Sequence, residues 1–177
     1  MPFRIFPAAC TSGALLLCAA TLPAHAAPGC AHLGTPARNT ALVKNFYRAL
    51  DQHEPALLDR VLAPDWTDVP PAPGQGPGRD GMKTAMAGYY ASFPDFHVAN
   101  EDFVAQGDKV VVRSTITATQ RGAFAGVPPS GKTFRIMAVD IHQICDGRVV
   151  KTWHVEDWLS GLFQMGALPP AAAPAKE

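Results

Sequence analysis

The stretch Phe134-Arg-Ile-Met-Ala-Val-Asp-Ile-His-Gln-Ile-Cys-Asp-Gly-Arg-Val-Val-Lys-Thr-Trp-His-Val-Glu-Asp157 decides the fold. Its central Asp146-Gly147 is typical of a two-residue hairpin, because both central residues of a type I′ turn need positive φ. Residues 133–145 and 148–157 are rich in β-branched residues and predict two strands. Residues 158–165 predict a short helix that Gly166 ends. We therefore expect an antiparallel hairpin followed by a helix.

The segments before this hairpin extend the same pattern. Apolar residues recur with a period of two over residues 96–105 and 109–120, which predicts two more antiparallel strands. They recur with a period near 3.6 over residues 40–51 and 80–92, and residues 54–62 predict a shorter helix. Helices that precede a meander of strands are typical of the α+β class, with helices on one face of a curved antiparallel sheet.

Both ends of the chain differ from the central domain. Arg4, an apolar run over residues 12–22 and the small-residue site Ala24-His25-Ala26 predict a secretory signal peptide over residues 1–26. A lipoprotein signal at Cys18 is the alternative, but Leu17 is bulkier than such sites favour. We therefore expect export to the periplasm or the extracellular space. The remaining chain divides into an extended arm (27–38), one domain (39–167) and a disordered tail (168–177).

Charge and cysteine usage narrow the classes of partner. The chain has 15 basic and 15 acidic residues and a net charge of zero. This balance argues against nucleic-acid binding and, once the signal is cleaved, against a membrane surface. Cys30 and Cys145 follow the cleavage site, so they are a candidate disulfide in an oxidising compartment. Two free thiols remain the alternative, because sequence does not give their distance.

Three motif types are rejected. Residues 126–133 match the phosphate-loop pattern, but Pro128 and Pro129 lack the N–H groups that such a loop points at phosphate. A loop between strands is the better interpretation. The histidines after residue 26 show no zinc-ligand spacing, and no Gly-x-Ser-x-Gly segment occurs. We therefore expect no bound nucleotide, no metal site and no serine nucleophile.

Asp157 is the candidate catalytic carboxyl. It ends a predicted strand on the face of Trp153 and Val155, and an apolar setting would raise its pKa into the range useful for a general acid or base. A second interpretation has equal weight. Asp157 directly precedes the predicted helix at 158–165 and is a good N-cap residue for it.

Other polar and aromatic side chains are candidate partners of this carboxyl. His142 shares a strand face with Asp140 and Phe134, and is a candidate catalytic partner or a hydrogen-bonded core residue. Arg113 is a candidate for anion binding or for charge pairing within its strand. The candidate substrate-binding residues are Trp66, Tyr90, His97, Arg113, Met137 and Trp153.

Five segments taken in order resemble a known family. They are Ser92-Phe-Pro-Asp95, Gln106-Gly-Asp-Lys-Val-Val-Val-Arg113, Gly126-Val-Pro-Pro-Ser-Gly-Lys132, Asp146-Gly-Arg-Val-Val150, and Trp153-x-x-x-Asp157 with Leu162-Phe-Gln-Met-Gly166. Together they resemble the SnoaL-like polyketide cyclases and ester cyclases of the NTF2-like superfamily. The resemblance covers about residues 40–166.

This resemblance implies a cone-shaped α+β barrel with three or four helices around one apolar pocket, often in a homodimer built sheet to sheet. It implies acid–base chemistry on a small apolar molecule by an aspartate at the position of Asp157, with no cofactor and no metal. An exported enzyme of the cyclase, isomerase or hydrolase type is the first hypothesis. A secreted protein that binds a hydrophobic ligand without chemistry is the second, and a dimeric scaffold with a filled pocket is the third.

Overall fold

A computed structural model describes residues 29–168 of the protein. The expected signal peptide and residues 169–177 of the expected tail lie outside the described residues. The elements, in chain order, are α1 (Pro36–Asp51), a 3₁₀ helix (Pro55–Arg60), β1 (Leu62–Val69), α2 (Gly78–Ser92), β2 (His97–Gln106), β3 (Lys109–Thr119), β4 (Thr133–Cys145), β5 (Arg148–Glu156) and α3 (Trp158–Met165).

The sheet contains the predicted meander and one strand that the sequence did not predict. Its order is β1-β5-β4-β3-β2, and the pairs from β2 to β5 are antiparallel. The additional strand, β1, runs parallel to β5 at the edge of the sheet. Its sequence carries Pro64, which an edge strand tolerates because one side of its backbone needs no partner. The pairing matters because β1 brings Trp66 and Asp68 beside β5.

The helices cover one face of this sheet. α1 packs against β2 and β3, α2 against β1, and α3 against β4. α1 begins at Pro36, earlier than the predicted residue 40, because Pro36 suits a first turn and the Thr35 side chain caps the N–H of Arg38. Val43, Phe46 and Tyr47 form the buried side of α1. Within residues 29–168, no helix is long and apolar enough to cross a membrane.

The segment before α1 is attached to the β4–β5 turn. A disulfide joins Cys30 to Cys145, with their Cα atoms 5.5 Å apart. The backbone N–H of His32 donates to Asp146 Oδ1 at 2.8 Å, and the Asp146 N–H donates to the His32 carbonyl at 2.9 Å. The sequence left open a disulfide or two free thiols, and the structure contains the disulfide. The described part of the arm is therefore fixed to the hairpin, and it ends where α1 begins at Pro36.

Alternation along β4, and along β5 from Thr152 onward, separates an inner from an outer face. On β4 the even-numbered residues from Phe134 to His142 are buried, whereas Met137 is 54% exposed. On β5, Thr152 is buried and Val155 is 72% exposed. The inner face meets the helices, and the outer face of these strands is left uncovered within the described chain.

Candidate functional site

A cavity lies between the inner face of the sheet and the helices. It contains about 770 Å³ of space not filled by atoms, a volume that includes its open mouth. Aromatic and aliphatic side chains form most of its wall, including Phe46, Leu50, Met82, Met86, Tyr89 and Trp158. An apolar hollow with a few polar groups is the usual form of a small-molecule site.

The charged groups that line the cavity collect on one wall. Asp68 comes from β1, Asp140 from β4, and His154 and Glu156 from β5. Asp140 lies directly across the β4–β5 pairing from His154. One ligand atom each from Asp140, His154 and Glu156 lies within 4.8 Å of the other two. Three ionisable side chains therefore share one small region of an otherwise apolar cavity.

His154 carries a positive charge between two carboxylates. Its Nδ1 lies 2.9 Å from Glu156 Oε1, and its Nε2 lies 3.1 Å from Asp68 Oδ1 and donates to the Pro70 carbonyl at 2.8 Å. Burial alone would lower its pKa, but the hydrogen bonds and charges of Asp68 and Glu156 outweigh burial and raise the pKa to about 11. Both ring nitrogens of this imidazolium donate, so His154 offers no lone pair to a metal ion.

Asp140 is the cavity carboxyl whose pKa is raised toward neutral pH. Burial raises its pKa, and the hydrogen bond from Tyr47 lowers it. The negative charge of Glu156 raises the pKa further, the positive charge of His154 lowers it, and the charge of Asp68 adds a small rise. The resulting pKa is about 6. Tyr47 Oη donates to Asp140 Oδ2 at 2.7 Å. Asp140 can therefore gain or lose a proton near neutral pH, as a general acid or base must.

Two of the six predicted substrate-binding residues line the cavity. Trp66 is 2% exposed, and its indole Nε1–H donates to Thr152 Oγ1 at 3.0 Å. Tyr90 donates its hydroxyl to the Leu50 carbonyl at 3.0 Å. Its ring stacks on His53 with the centroids 3.9 Å apart. Both side chains have their polar ends satisfied by protein groups, so they present mainly ring surface to the cavity.

The other four do not reach the cavity, and their expected placement is wrong. Arg113, Met137 and Trp153 lie on the outer face, because each has an odd-numbered position on a stretch of strand whose even-numbered residues face inward, which on β5 begins at Thr152. Arg113 pairs with Asp102 at 2.6 Å. His97 lies at the start of β2, exposed, with its ring beside Asp51.

The expectation that the Asp157 carboxyl faces the pocket is also wrong. Asp157 is exposed at the N-cap of α3, where its Oδ1 accepts from the Ser160 N–H at 3.1 Å. That hydrogen bond lowers the pKa of its carboxyl instead of raising it. The residue that faces the cavity is its neighbour Glu156, because a difference of one residue along a strand reverses the face.

His142, the other predicted catalytic residue, lies behind the cavity wall. It is fully buried, and its ring nitrogens lie 3.0 Å from Tyr47 Oη and 3.0 Å from Thr152 Oγ1. Burial, followed by the charge of His154, lowers the pKa of His142 to about 3. The ring is therefore neutral, and it contacts the site through Tyr47 rather than directly.

The charged residues of the site were missed by the sequence reasoning, although part of the signal was present. Asp140 shares the inner face of β4 with Phe134 and His142, as the alternation predicts. His154 and Glu156 follow Thr152 at the same period, but the sequence prediction places the odd-numbered face of β5, with Asp157, toward the pocket. Asp68 had no local signal, because its place depends on the parallel pairing of β1 with β5.

A curved sheet and helices that enclose an apolar pocket with a charged wall define a protein of the NTF2-like class. Residues 41–165 match the family model of SnoaL-like polyketide cyclases. The chain therefore belongs to the SnoaL-like polyketide cyclase family, as its sequence motifs indicated. No curated protein matches the chain.

Several solved structures share both fold and sequence with this chain. TsrD from Streptomyces laurentii is 32% identical over 76% of this chain and 99% of its own, with a TM-score of 0.71. IdmH, a candidate polyketide cyclase from Streptomyces antibioticus, is 29% identical over 72% of this chain and 98% of its own (TM-score 0.64). AclR, a candidate hydroxylase from Streptomyces galilaeus, is 28% identical over 77% of this chain and 86% of its own (TM-score 0.68).

Proposed function

We propose that the protein is a small-molecule enzyme that transfers a proton at an apolar, carbonyl-bearing substrate, and that Asp140 is the general acid or base. One observation carries this proposal: a buried cavity carboxyl with a pKa of about 6 lies across the strand pair from a fixed imidazolium. Membership of a polyketide cyclase family supports small-molecule chemistry of the cyclase type. None of the proposed steps needs a cofactor.

The two central side chains have different roles in this proposal. Asp140, when ionised, removes a proton from the carbon next to a carbonyl, and when protonated it returns one. His154 cannot act as a base, since both of its nitrogens already hold protons. Its charge instead stabilises negative charge that develops on the substrate oxygen. The apolar wall, with Trp66 and Tyr90, binds the substrate body and excludes water.

Hydrogen–deuterium exchange tests this proposal without a known natural substrate. Aromatic β-dicarbonyl compounds and aryl ketones are incubated with the protein in D₂O, and deuterium at the α-carbon is followed by NMR. We expect protein-dependent exchange that Asp140→Asn reduces by about 100-fold or more, the size of a general acid–base contribution. Asp157→Asn is the matched control, because it makes the same change at an exposed carboxyl. Exchange lost in Asp157→Asn and kept in Asp140→Asn would contradict the proposal.

A non-catalytic binding protein is the second candidate, and the mainly aromatic and aliphatic wall of the cavity favours it. Native mass spectrometry of protein purified from its own host identifies a ligand that copurifies. A ligand recovered unchanged after long incubation, together with no exchange on any probe, indicates binding without chemistry. Conversion of that ligand supports the enzyme.

We also propose that the chain is exported and that its leader is removed after Ala26. The disulfide between Cys30 and Cys145 supports this, since disulfides persist mainly in oxidising compartments. The test is N-terminal sequencing of protein from the host, with peptide mapping under non-reducing conditions. We expect Ala27 as the first residue and one cross-linked peptide pair. A retained leader with two free thiols would contradict export.

Finally, we propose a homodimer formed through the outer face of β4 and β5. Met137 and Val155 are 54% and 72% exposed on this face, and contiguous exposed apolar surface marks interaction sites. Light scattering should give twice the chain mass for the wild type and a single chain mass for Val155→Asp. Val155→Thr is the control, because it keeps the branched shape without a charge. A monomeric wild type would contradict the proposal.

A further inference from the structure

A line of four buried hydrogen bonds connects Trp66 to Asp140. Trp66 Nε1 donates to Thr152 Oγ1 at 3.0 Å, and Thr152 Oγ1 lies 3.0 Å from His142 Nδ1. His142 Nε2 lies 3.0 Å from Tyr47 Oη, which donates to Asp140 Oδ2 at 2.7 Å. All five side chains are at most 8% exposed, so water has little access to the line.

The chemistry of these groups leaves one arrangement of protons when Asp140 is ionised. A carboxylate only accepts, so Tyr47 spends its single hydroxyl proton on Asp140. The Tyr47 oxygen can then only accept from His142, which must carry its proton on Nε2. A neutral ring with Nε2–H has a lone pair at Nδ1, and the Thr152 hydroxyl donates to it.

Trp66 completes this arrangement at the other end. An indole N–H can only donate, and Thr152, having used its proton on His142, accepts from Trp66 with a lone pair. The neutral state of His142 agrees with the fall of its pKa to about 3 on burial. Every donor in the line therefore has an acceptor, and every bond runs in the direction of Asp140.

We propose that His142 is a positioning residue, held as its Nε2–H tautomer by Thr152 and Trp66, which donates to Tyr47 and so directs the tyrosine hydroxyl at Asp140. This inference rests on the proposed role of Asp140, and it assigns control of that carboxyl to a ring that does not line the cavity. Aligned hydrogen bonds polarise one another, so the Nε2–H makes Tyr47 a better donor to the ionised carboxyl.

Other groups also face Asp140 and would contribute to its titration. Tyr47 approaches from α1, Asp68 from β1, and His154 and Glu156 from β5. Of these, only Tyr47 belongs to the line from Trp66. The experiments therefore change the members of the line and leave the charged groups in place.

The tautomer of His142 is the first test, because it needs no substrate. Long-range ¹H–¹⁵N NMR at pH 8 reports which ring nitrogen carries the proton, and the signal is assigned by its loss in His142→Gln. We expect a protonated Nε2 and an unprotonated Nδ1. An Nδ1–H tautomer, an equal mixture or an imidazolium at this pH would overturn the inference.

The titration of Asp140 is the second test. Its side-chain carboxyl is followed by ¹³C NMR from pH 4 to 9 and assigned with Asp140→Asn. Tyr47→Phe should raise its midpoint by about one pH unit, a tenfold gain in proton affinity, because the ionised form loses its donor. Tyr90→Phe is the matched control, since that hydroxyl also borders the cavity but donates to the Leu50 carbonyl. An unchanged midpoint in Tyr47→Phe would overturn the inference.

Two variants of His142 separate positioning from packing. His142→Gln keeps a side-chain N–H that can reach Tyr47, so the Asp140 midpoint should stay near that of the wild type. His142→Phe keeps the ring volume without the donor, and the midpoint should rise by about half a pH unit. Equal midpoints in both variants would overturn the inference. If His142→Phe does not fold, the tautomer and the Tyr47→Phe titration still decide.

The two proposals fail in distinguishable ways. Deuterium exchange that survives Asp140→Asn contradicts the proposed function, whatever the tautomer of His142. Exchange that is lost in Asp140→Asn, with the wrong tautomer in the wild type, overturns only the positioning role.

Discussion

The two faces of β5 have opposite properties, although their residues alternate along one chain. Thr152, His154 and Glu156 face the helices, where they are hydrogen-bonded or ion-paired around the cavity. Trp153 and Val155 face outward, and Val155 is 72% exposed. A shift of one residue exchanges the two sets, since successive side chains of a strand point to opposite faces.

This difference shows what each face requires from its residues. Ionisable groups on the inner face lose hydration, so each needs a partner, and their proton affinities shift as a result. Apolar groups on the outer face can be changed at little cost to a single chain. If this contrast is right, substitutions on the inner face should change stability and its dependence on pH. Those on the outer face should change association instead.

The largest effect is expected from His154. His154→Leu leaves Asp68 and Glu156 without their shared cation, and we expect it to lower the free energy of unfolding by about 3 kcal/mol at pH 6.5. The folded-state pKa of about 11 lies above the unfolded value near 6.5. This stabilisation is therefore complete below pH 6.5 and is lost as the pH rises toward 11. Urea unfolding at pH 6.5, 8 and 9.5 measures both effects. If the stability of the variant and of the wild type depended on pH in the same way, the predicted difference between the inner and outer faces would be wrong.

Asp140 should give the next largest effect, and here the substitution should stabilise the protein rather than destabilise it. Its pKa is raised from 3.8 to about 6. Between pH 3.8 and about pH 6 the folded state therefore binds more protons than the unfolded state. The stability of the wild type falls as the pH rises through this range. Asp140→Asn removes the ionisation and keeps an acceptor for Tyr47, so we expect it to be about 2 kcal/mol more stable than the wild type at pH 8. Thermal unfolding at pH 4 and pH 8 checks this. A variant that is less stable than the wild type at pH 8 would show that the surroundings of Asp140 do not disfavour its ionised form.

Asp157 is the third and smaller case. Asp157→Ala removes the acceptor for the Ser160 N–H at the start of α3, and we expect it to lower the free energy of unfolding by less than either variant above changes it. Asp157→Asn keeps a capping oxygen and should unfold like the wild type. Urea unfolding of both variants, with deuterium exchange on the same samples, is the measurement. A loss of exchange in Asp157→Ala with a fully folded protein would restore the catalytic interpretation of this residue.

Val155 should have the smallest effect on stability. Val155→Thr keeps the branched side chain on the exposed face, and we expect a change within about 0.5 kcal/mol at concentrations where the chain is monomeric. Unfolding at two protein concentrations separates the stability of one chain from that of an assembly. A loss above 2 kcal/mol at the lower concentration would mean that the outer face packs against this same chain.

The parts of the fold that the sequence predicted are those specified by neighbouring residues. Asp146-Gly147 places the hairpin, and β4 has the predicted bounds, Thr133–Cys145. The parallel strand β1 was missed, because its residues pair with residues of β5 that lie 84 to 87 positions further along the chain, and such a distant pairing leaves no local pattern. The start of α1 was placed too late, because Pro36 and the Thr35 cap were assigned to the arm.

The site was harder to predict than the fold, for a related reason. The sequence placed Asp140 and His142 on one face, but it did not show which of the two borders the cavity. At the end of β5, Asp157 was an equally good candidate for the N-cap of the following helix and for the catalytic carboxyl. Only the orientation of the strand decides between these two roles. The pKa of Asp140 is raised mainly by burial, and the charge of Asp68, which the parallel pairing of β1 brings near, adds a smaller part.

The edge pairing of β1 with β5 also bears on how the molecule reaches its native state. The Trp66–Thr152 hydrogen bond joins residues 86 positions apart, whereas the β4–β5 hairpin closes over a two-residue turn. Contacts between distant residues carry a larger loop-closure cost and slow folding, so the meander should form early and this edge late. On that order of events the cavity is completed only in the last step, and a nascent chain would acquire affinity for its ligand abruptly rather than by degrees.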